Sequence, residues 1–206
     1  MPRARHLIVF ARAPRFGAVK TRLARDVGRL AAWTFQRRAL AAMLARLGRD
    51  PRWRLWLAIA PDAFARRPFR PRPPKGARIV PQGPGDIGTR MAGAFARVFT
   101  QGPPGPVVLI GADIPGVRAR HVALAFQRLG AHDAVFGPAT DGGFWLIGFR
   151  RPPPGTVFAG VRWSTPNALA DTLANLDGLN VAPPLETLAD VDDGRDYAKA
   201  LTSGAL

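Results

Sequence analysis

The chain has 206 residues, 47% hydrophobic and 21% charged, which fits one globular domain with a sizeable core and excludes a disordered chain. No apolar run approaches the ~18 residues of a membrane span. The short run after the basic start contains Arg12, unlike a signal peptide, and with no cysteine there is neither a disulfide frame nor a thiolate metal site; a cytoplasmic setting is expected.

The net charge of +16 is uneven: residues 1–80 hold 20 of the 30 basic side chains and 3 of the 14 acids. Such a half attracts anionic, phosphate-bearing ligands. It also admits a nucleic-acid-binding module, for which Trp53 and Trp56 supply aromatic interleaving, but Trp53 falls on an apolar strand face, so nucleic acid is not the expected partner. Scattered surface arginine accounts for many of these charges.

Leu7 to Ala11 is a buried strand. A loop from Arg12 to Lys20 follows, and Thr21 is the expected cap of one long helix running to about Leu47, with apolar positions Leu23, Val27, Leu30, Ala31, Leu40, Met43, Leu44 and Leu47 at helical spacing and Gly48 as the stop. Lys20 and Arg22 stand where a first strand hands over to a helix, whose free amides and two cations suit a phosphate; surface charge is the alternative. Trp53, Leu55, Leu57 and Ile59 alternate on a second strand, with Arg54 and Trp56 on its other face. Residues 66–76 are an Arg- and Pro-rich connection.

A short strand at 77–80 leads into a Gly-rich loop, Gln82 to Gly88, and a helix marked by Met91, Phe95, Val98 and Phe99. Arg90 is able to hold a phosphate bidentately. Gln82 reads either as a contact to a base edge or as a solvated loop residue. The apolar run Pro106 to Ile110 is a buried strand, and Asp113 follows its carboxyl end, where α/β sheets bind ligands. Asp113 reads as a metal ligand against phosphates, or as a helix cap before Pro115.

Val122, Ala125, Phe126 and Leu129 mark another helix. Strands at 134–136 and 144–148 flank the turn Asp141-Gly142-Gly143. Turn chemistry explains that triplet; the sharper reading makes Asp141 an acceptor contact or base. Residues 150–162, with three prolines, have the composition of a mobile flap. Trp163 either stacks on a ligand ring or packs. Thr165-Pro166 begins a helix with Leu169, Leu173 and Leu176 on its apolar face. Val181 lies on a last short strand, and residues 193–201 close the chain as a helix. Asp190 and Asp192, two apart, point the same way in extended chain and with Asp113 are able to clamp a hard cation; capping the last helix is the alternative. His6, His121 and His132 have no ligand spacing. Alternating strands and helices give an α/β domain with a mainly parallel, doubly wound sheet.

Six ordered segments resemble the motifs of a bacterial family classed with the glycosyltransferases. They are Phe10 to Leu23 (FARAPRFGAVKTRL), Gln82 to Met91 (QGPGDIGTRM), Gly111 to Pro115 (GADIP), Gly137 to Gly148 (GPATDGGFWLIG), Trp163-Ser164-Thr165, and Asp190 to Asp196 (DVDDGRD). The family belongs to the nucleotide-diphospho-sugar transferase superfamily of GT-A type, which includes 2-phospho-L-lactate guanylyltransferase and the molybdenum-cofactor nucleotidyltransferases.

The resemblance implies one GT-A-like α/β/α domain over residues 1–206 and an Mg²⁺- or Mn²⁺-dependent transfer from an activated nucleotide. Arg12, Lys20, Arg22, Gln82, Asp86 and Arg90 then face the nucleotide and its phosphates. Asp113, Asp190 and Asp192 hold the metal, Asp113, Asp141 and Lys20 serve catalysis, and Gly142, Gly143 and Trp163 face a small-molecule acceptor. Glycosyl transfer from a nucleotide sugar is the first expectation; nucleotidyl transfer from a triphosphate to a small phosphorylated acid is the second. Two positions depart from the family: Asp193 replaces a usual Thr, and Phe144 replaces a frequent Tyr, removing a hydroxyl.

Overall fold

The computed structural model describes residues 3–17 and 20–202; Ala18 and Val19 of the first loop, both chain ends and the side chain of Thr21 lie outside the described residues. Six strands form one sheet: β1 (His6–Arg12), β2 (Arg54–Ala60), β3 (Arg78–Pro81), β4 (Val107–Gly111), β5 (Ala134–Pro138) and β6 (Phe144–Phe149). Their order is β3-β2-β1-β4-β6-β5. β1 pairs in parallel with both β2 and β4, β2 pairs in parallel with β3, and β6 runs antiparallel to both β4 and β5. The expected mainly parallel, doubly wound α/β architecture is therefore present, with one reversed strand inserted by the β5–β6 hairpin.

Strands covered on both faces read as continuous apolar runs. Leu7, Val9, Leu55, Leu57 and Ile59 pack with α2 (Arg29–Leu47) and α4 (Ala119–Arg128) on one side. Ile8, Trp56, Ala58 and Leu109 pack with α3 (Ile87–Gln101) on the other. Trp56, on the second face of its strand, is thus as buried as Trp53. Its indole N–H donates to Nδ1 of buried His6, whose Nε2 meets the Pro103 carbonyl oxygen. A third cluster ties Leu23 of α1 (Thr21–Val27) and Phe35 of α2 to Val191 and Ala200, the last on α6 (Gly194–Thr202). Among the described residues no helix is long and apolar enough to cross a membrane.

The single long helix expected from Thr21 to Leu47 is two. Gly28 has φ 84° and ends α1 with its N–H on Ala24 O, while its own carbonyl receives the Ala32 N–H of α2. A periodic apolar pattern cannot register one residue of positive φ, which Gly adopts without steric cost. Lys20, not Thr21, occupies the N-cap position of α1.

The expected helix start at Thr165-Pro166 is a turn: Thr165 Oγ1 accepts the Asn167 N–H, and α5 is Ala168–Ala174. Leu176 is buried beyond that helix, whereas Leu173 is 38% exposed. The 150–162 segment is pinned rather than laid free over the surface. Val157 and Phe158 are buried, Asn175 Nδ2 donates to the Val157 and Ala159 carbonyls, and Arg162 grips Asp171 of α5 with two side-chain hydrogen bonds. The strand expected at Val181 is an isolated bridge to Ala134. It belongs to an extended run in which the N–H groups of Ala182, Leu185 and Leu188 donate to the carbonyls of Ala134, Phe136 and Pro138. That run covers the β5 edge and carries the chain to Asp190.

Candidate active site

A cleft of about 460 Å³ opens at the carboxyl ends of β1, β4 and the β5–β6 hairpin; Arg12, Lys20, Asp113, Asp141, Trp163 and Asp190 line it. β1 has β2 on one side and β4 on the other, so the cleft lies at the point where strand order reverses, the ligand position of open α/β sheets.

Lys20 lies among its acids. Its backbone is left-handed, φ 48° and ψ 53°, a conformation uncommon for a residue with a Cβ and recurrent at functional sites. Its Nζ donates to Asp113 Oδ2 at 3.2 Å and to Asp192 Oδ1 at 2.9 Å, with the lysine side chain 9% exposed. Burial pulls its pKa down, but Asp113 and Asp192 outweigh burial and leave it raised, so Lys20 remains an ammonium. Arg22 lies 3.9 Å from Asp192 and is well exposed, a pairing worth little by itself.

Asp190 is in the opposite situation. Burial pushes its carboxyl up to about 6, and repulsion from Asp192, Asp113 and Asp141 adds to this against the Lys20 ammonium. Neither capping alternative describes these acids. α6 is capped by Asp193, whose Oδ1 accepts the N–H groups of Arg195 and Asp196. α4 begins at Ala119, with Arg118 and His121 providing its capping contacts.

Carboxylate oxygens are the donors a hard divalent cation takes, so the residues fit such an ion in kind. Among the described residues, however, no three acidic or imidazole side chains are gathered to hold one. The Lys20 ammonium instead bridges Asp113 and Asp192.

A stability consequence follows from Asp190. A carboxyl raised from the ordinary 3.8 to about 6 binds its proton more tightly in the folded chain, so its contribution to stability falls as pH rises from about 4 to about 6 and stays unfavourable above. Asp190→Asn is expected to raise the unfolding free energy by ~1–2 kcal/mol at about pH 7.5, after allowance for solvent screening, and to change little at about pH 4. Urea melts at the two pH values check this; equal effects at both would refute it.

The Gly-rich loop residues divide. Gln82 is 4% exposed and lines the cleft, but its Nε2 donates to the Ala11 and Ala58 carbonyls, leaving only its amide oxygen for a ligand. Asp86 does not line the cleft; its Oδ1 accepts the Thr89 N–H at 2.7 Å and caps α3. Arg90 lines the cleft and donates through Nε to Gly85 O, and among the described residues its terminal nitrogens bond no protein group. Arg12 and Arg90 also line a neighbouring cleft of about 500 Å³ with Arg15 and Asp62.

On the hairpin, Asp141 does two things. Its Oδ1 accepts the Gly143 N–H at 2.9 Å, the expected turn chemistry, and the side chain lines the cleft. Gly143 lines the cleft as well, whereas Gly142 does not. Gly142 has φ 84°, and a Cβ there would run into the Pro166 backbone carbonyl. Gly142→Ala is therefore expected to destabilise the fold by ~1–3 kcal/mol, seen as a lowered thermal midpoint; an unchanged midpoint would contradict the close approach. Trp163 packs edge-on against Phe144 and tilted against Phe158, and Gly88 leaves room for its ring.

Gln36 of α2 also lines the cleft. It shares a stripe with Ala32, Phe35, Ala39 and Leu40, and a lone amide at helical spacing among apolar residues was the signal in the sequence.

Residues 43–165 match a family described as an uncharacterized protein conserved in bacteria (DUF2064). The chain belongs to this family. No curated protein matches it. Among solved structures, this DUF2064 protein is similar to one from Desulfovibrio desulfuricans G20, described as a "putative nucleotide-diphospho-sugar transferase". The two share 32% identity over 96% of this chain and 85% of the other, with a TM-score of 0.84. It is similar in fold to a 4-diphosphocytidyl-2C-methyl-D-erythritol synthase from Anaerococcus prevotii DSM 20548 (10% identity, 99% of both chains, TM-score 0.60). It is also similar in fold to glucosyl-3-phosphoglycerate synthase from Mycobacterium tuberculosis, solved with Mn²⁺, UDP and glucosyl-3-phosphoglycerate (14% identity, 98% of this chain and 77% of the other, TM-score 0.53). The fold is that of the nucleotide-diphospho-sugar transferases, in agreement with the six motifs.

Proposed function

We propose that this DUF2064 protein is a metal-dependent transferase acting as one domain on a nucleotide-activated donor, and that the reaction is glycosyl transfer from a nucleotide-diphospho-sugar to a small-molecule acceptor. The observation that carries this reading is the Lys20 ammonium held between Asp113 and Asp192 at the carboxyl end of β4, beside the mutually repelled carboxyl of Asp190. Excess negative charge with a cation at its centre suits a site that exchanges ions with a metal–diphosphate. The Desulfovibrio relative supports a nucleotide-sugar donor, and the Mn²⁺ and UDP bound by the mycobacterial synthase support the metal and the diphosphate.

Arg12, Lys20, Arg22 and Arg90 would neutralise the phosphates. Asp113 and Asp192, in exchange for the Lys20 ammonium between them, and Asp190 would supply carboxylate oxygens to Mg²⁺ or Mn²⁺, which when bound stabilises charge on the diphosphate as it leaves. Asp141 would take the proton of an acceptor hydroxyl as that oxygen bonds the anomeric carbon, and the nucleoside diphosphate departs with the electrons of the broken bond. Gly143 and Trp163 flank that acceptor.

A thermal-shift screen of nucleotide sugars and nucleoside triphosphates, with and without Mn²⁺, tests the reading, since a ligand of the folded state raises the midpoint. A metal-dependent shift with a nucleotide sugar, and release of nucleoside diphosphate on turnover, are expected. A shift confined to a triphosphate, with pyrophosphate as product, would replace glycosyl by nucleotidyl transfer. No shift with any nucleotide would refute the transferase reading.

A further inference from the structure

The cleft carries two chemistries. Arg12, Lys20 and Arg90 with the lining Asp113, Asp141 and Asp190 answer to phosphates and a cation. Gln36, Trp163 and Ser164 are neutral, and neither phosphate nor metal requires them. Gln36 reaches the cleft from the α2 layer, and Trp163 and Ser164 from the opposite layer.

Among the described residues the side-chain polar atoms of these groups lack protein partners. Gln36 Oε1 and Trp163 Nε1 are buried with no hydrogen bond, and among the described residues neither the Gln36 amide nitrogen nor the Ser164 hydroxyl bonds the protein. Ser164 also has φ 60°, backbone strain of the kind retained at ligand sites. A buried amide oxygen without a partner is destabilising. Leu or Met at position 36 would continue the stripe of Ala32, Phe35, Ala39 and Leu40 without that penalty, so the folded chain alone does not account for a glutamine. An amide is both donor and acceptor, and a sugar hydroxyl is a neutral ligand group that matches both roles.

We propose that Gln36 is a specificity-determining residue that hydrogen-bonds a hydroxyl of the glycosyl group carried by the nucleotide, with Trp163 and Ser164 facing the same polyhydroxylated moiety. This rests on the glycosyl-transfer reading above and names the part of the donor that the neutral side of the cleft takes.

The test is calorimetric binding with Mn²⁺ present, using UDP against UDP-glucose and GDP against GDP-mannose, on wild type and Gln36→Met. Methionine keeps the length of the side chain and removes its hydrogen bonds. The expected result is an unchanged affinity for the diphosphate that binds, a loss of about tenfold for its sugar conjugate, and a thermal midpoint of the ligand-free variant no lower than wild type. Equal losses for diphosphate and conjugate would assign Gln36 to the nucleotide and overturn the proposal, as would no loss for either. Wild type that binds neither diphosphates nor conjugates would instead overturn the transferase reading, and this proposal with it.

Discussion

Asp113→Asn is expected to lower the Mn²⁺-dependent affinity for a nucleoside diphosphate by about 100-fold, while leaving the protein folded. The side chain of Asp113 is 47% exposed, and its carboxylate caps no helix and fills no core, so its loss is local. Asparagine keeps the shape and removes the charge. It withdraws one oxygen donor from a cation and weakens the hold on Lys20. Losing one member of a hydrogen-bonded charge pair costs about 2–5 kcal/mol when buried, and the half exposure of Asp113 puts its effect at the lower end, near 2.7 kcal/mol or 100-fold. Without metal the sign reverses or vanishes, because a carboxylate beside a phosphate repels it. Calorimetry with and without Mn²⁺ separates the two; an unchanged metal-dependent affinity would remove Asp113 from the site.

Lys20→Met has effects of opposite sign on two ligands. The ammonium occupies the position between Asp113 and Asp192, so removing it is expected to tighten Mn²⁺ binding in the absence of nucleotide by about tenfold or more. Nucleotide affinity is expected to fall, since the cation that meets the phosphates is gone. Stability should drop by ~1–3 kcal/mol, below the 3–5 kcal/mol of a fully buried pair because both aspartates are half-exposed. The raised pKa of Lys20 fixes the pH range: its stabilisation is fully present below the ordinary 10.5 and is lost as pH climbs through the folded value. Mn²⁺ titration by electron paramagnetic resonance, with urea melts alongside, reads all three. A parallel fall in metal and nucleotide affinity would show that Lys20 positions the carboxylates and does not compete with the cation.

Most of the strands, and the placing of Asp113 at a strand end, were legible because each depends on local pattern. Leu7 to Ala11 and Val107 to Ile110 are apolar runs whose burial on both faces follows from their composition. Asp113 follows such a run, so it falls at the carboxyl edge of the sheet whatever the rest of the chain does. The break at Gly28 was not legible, since the apolar spacing continues on both sides of it. Nor was the extended run from Ala182 to Leu188, whose hydrogen bonds go to β5, almost 50 residues away, and whose prolines suggest a loop. Asp86 and Asp193 show the same limit from another side. Each lies in a motif beside genuine cleft residues, yet each spends its carboxylate on helix N–H groups.

The sequence by itself determined the fold class, the motif order and the residue types available for chemistry, because hydrophobic periodicity and strand-end carboxylates are properties of short segments. The tertiary structure decided which acids face one another, that Lys20 lies between two of them, that burial and repulsion lift Asp190, and that Gln36 reaches the same cleft from α2. Those are relations between segments up to about 170 positions apart, and charge interaction and desolvation depend on the spatial proximity and burial that only the folded chain sets.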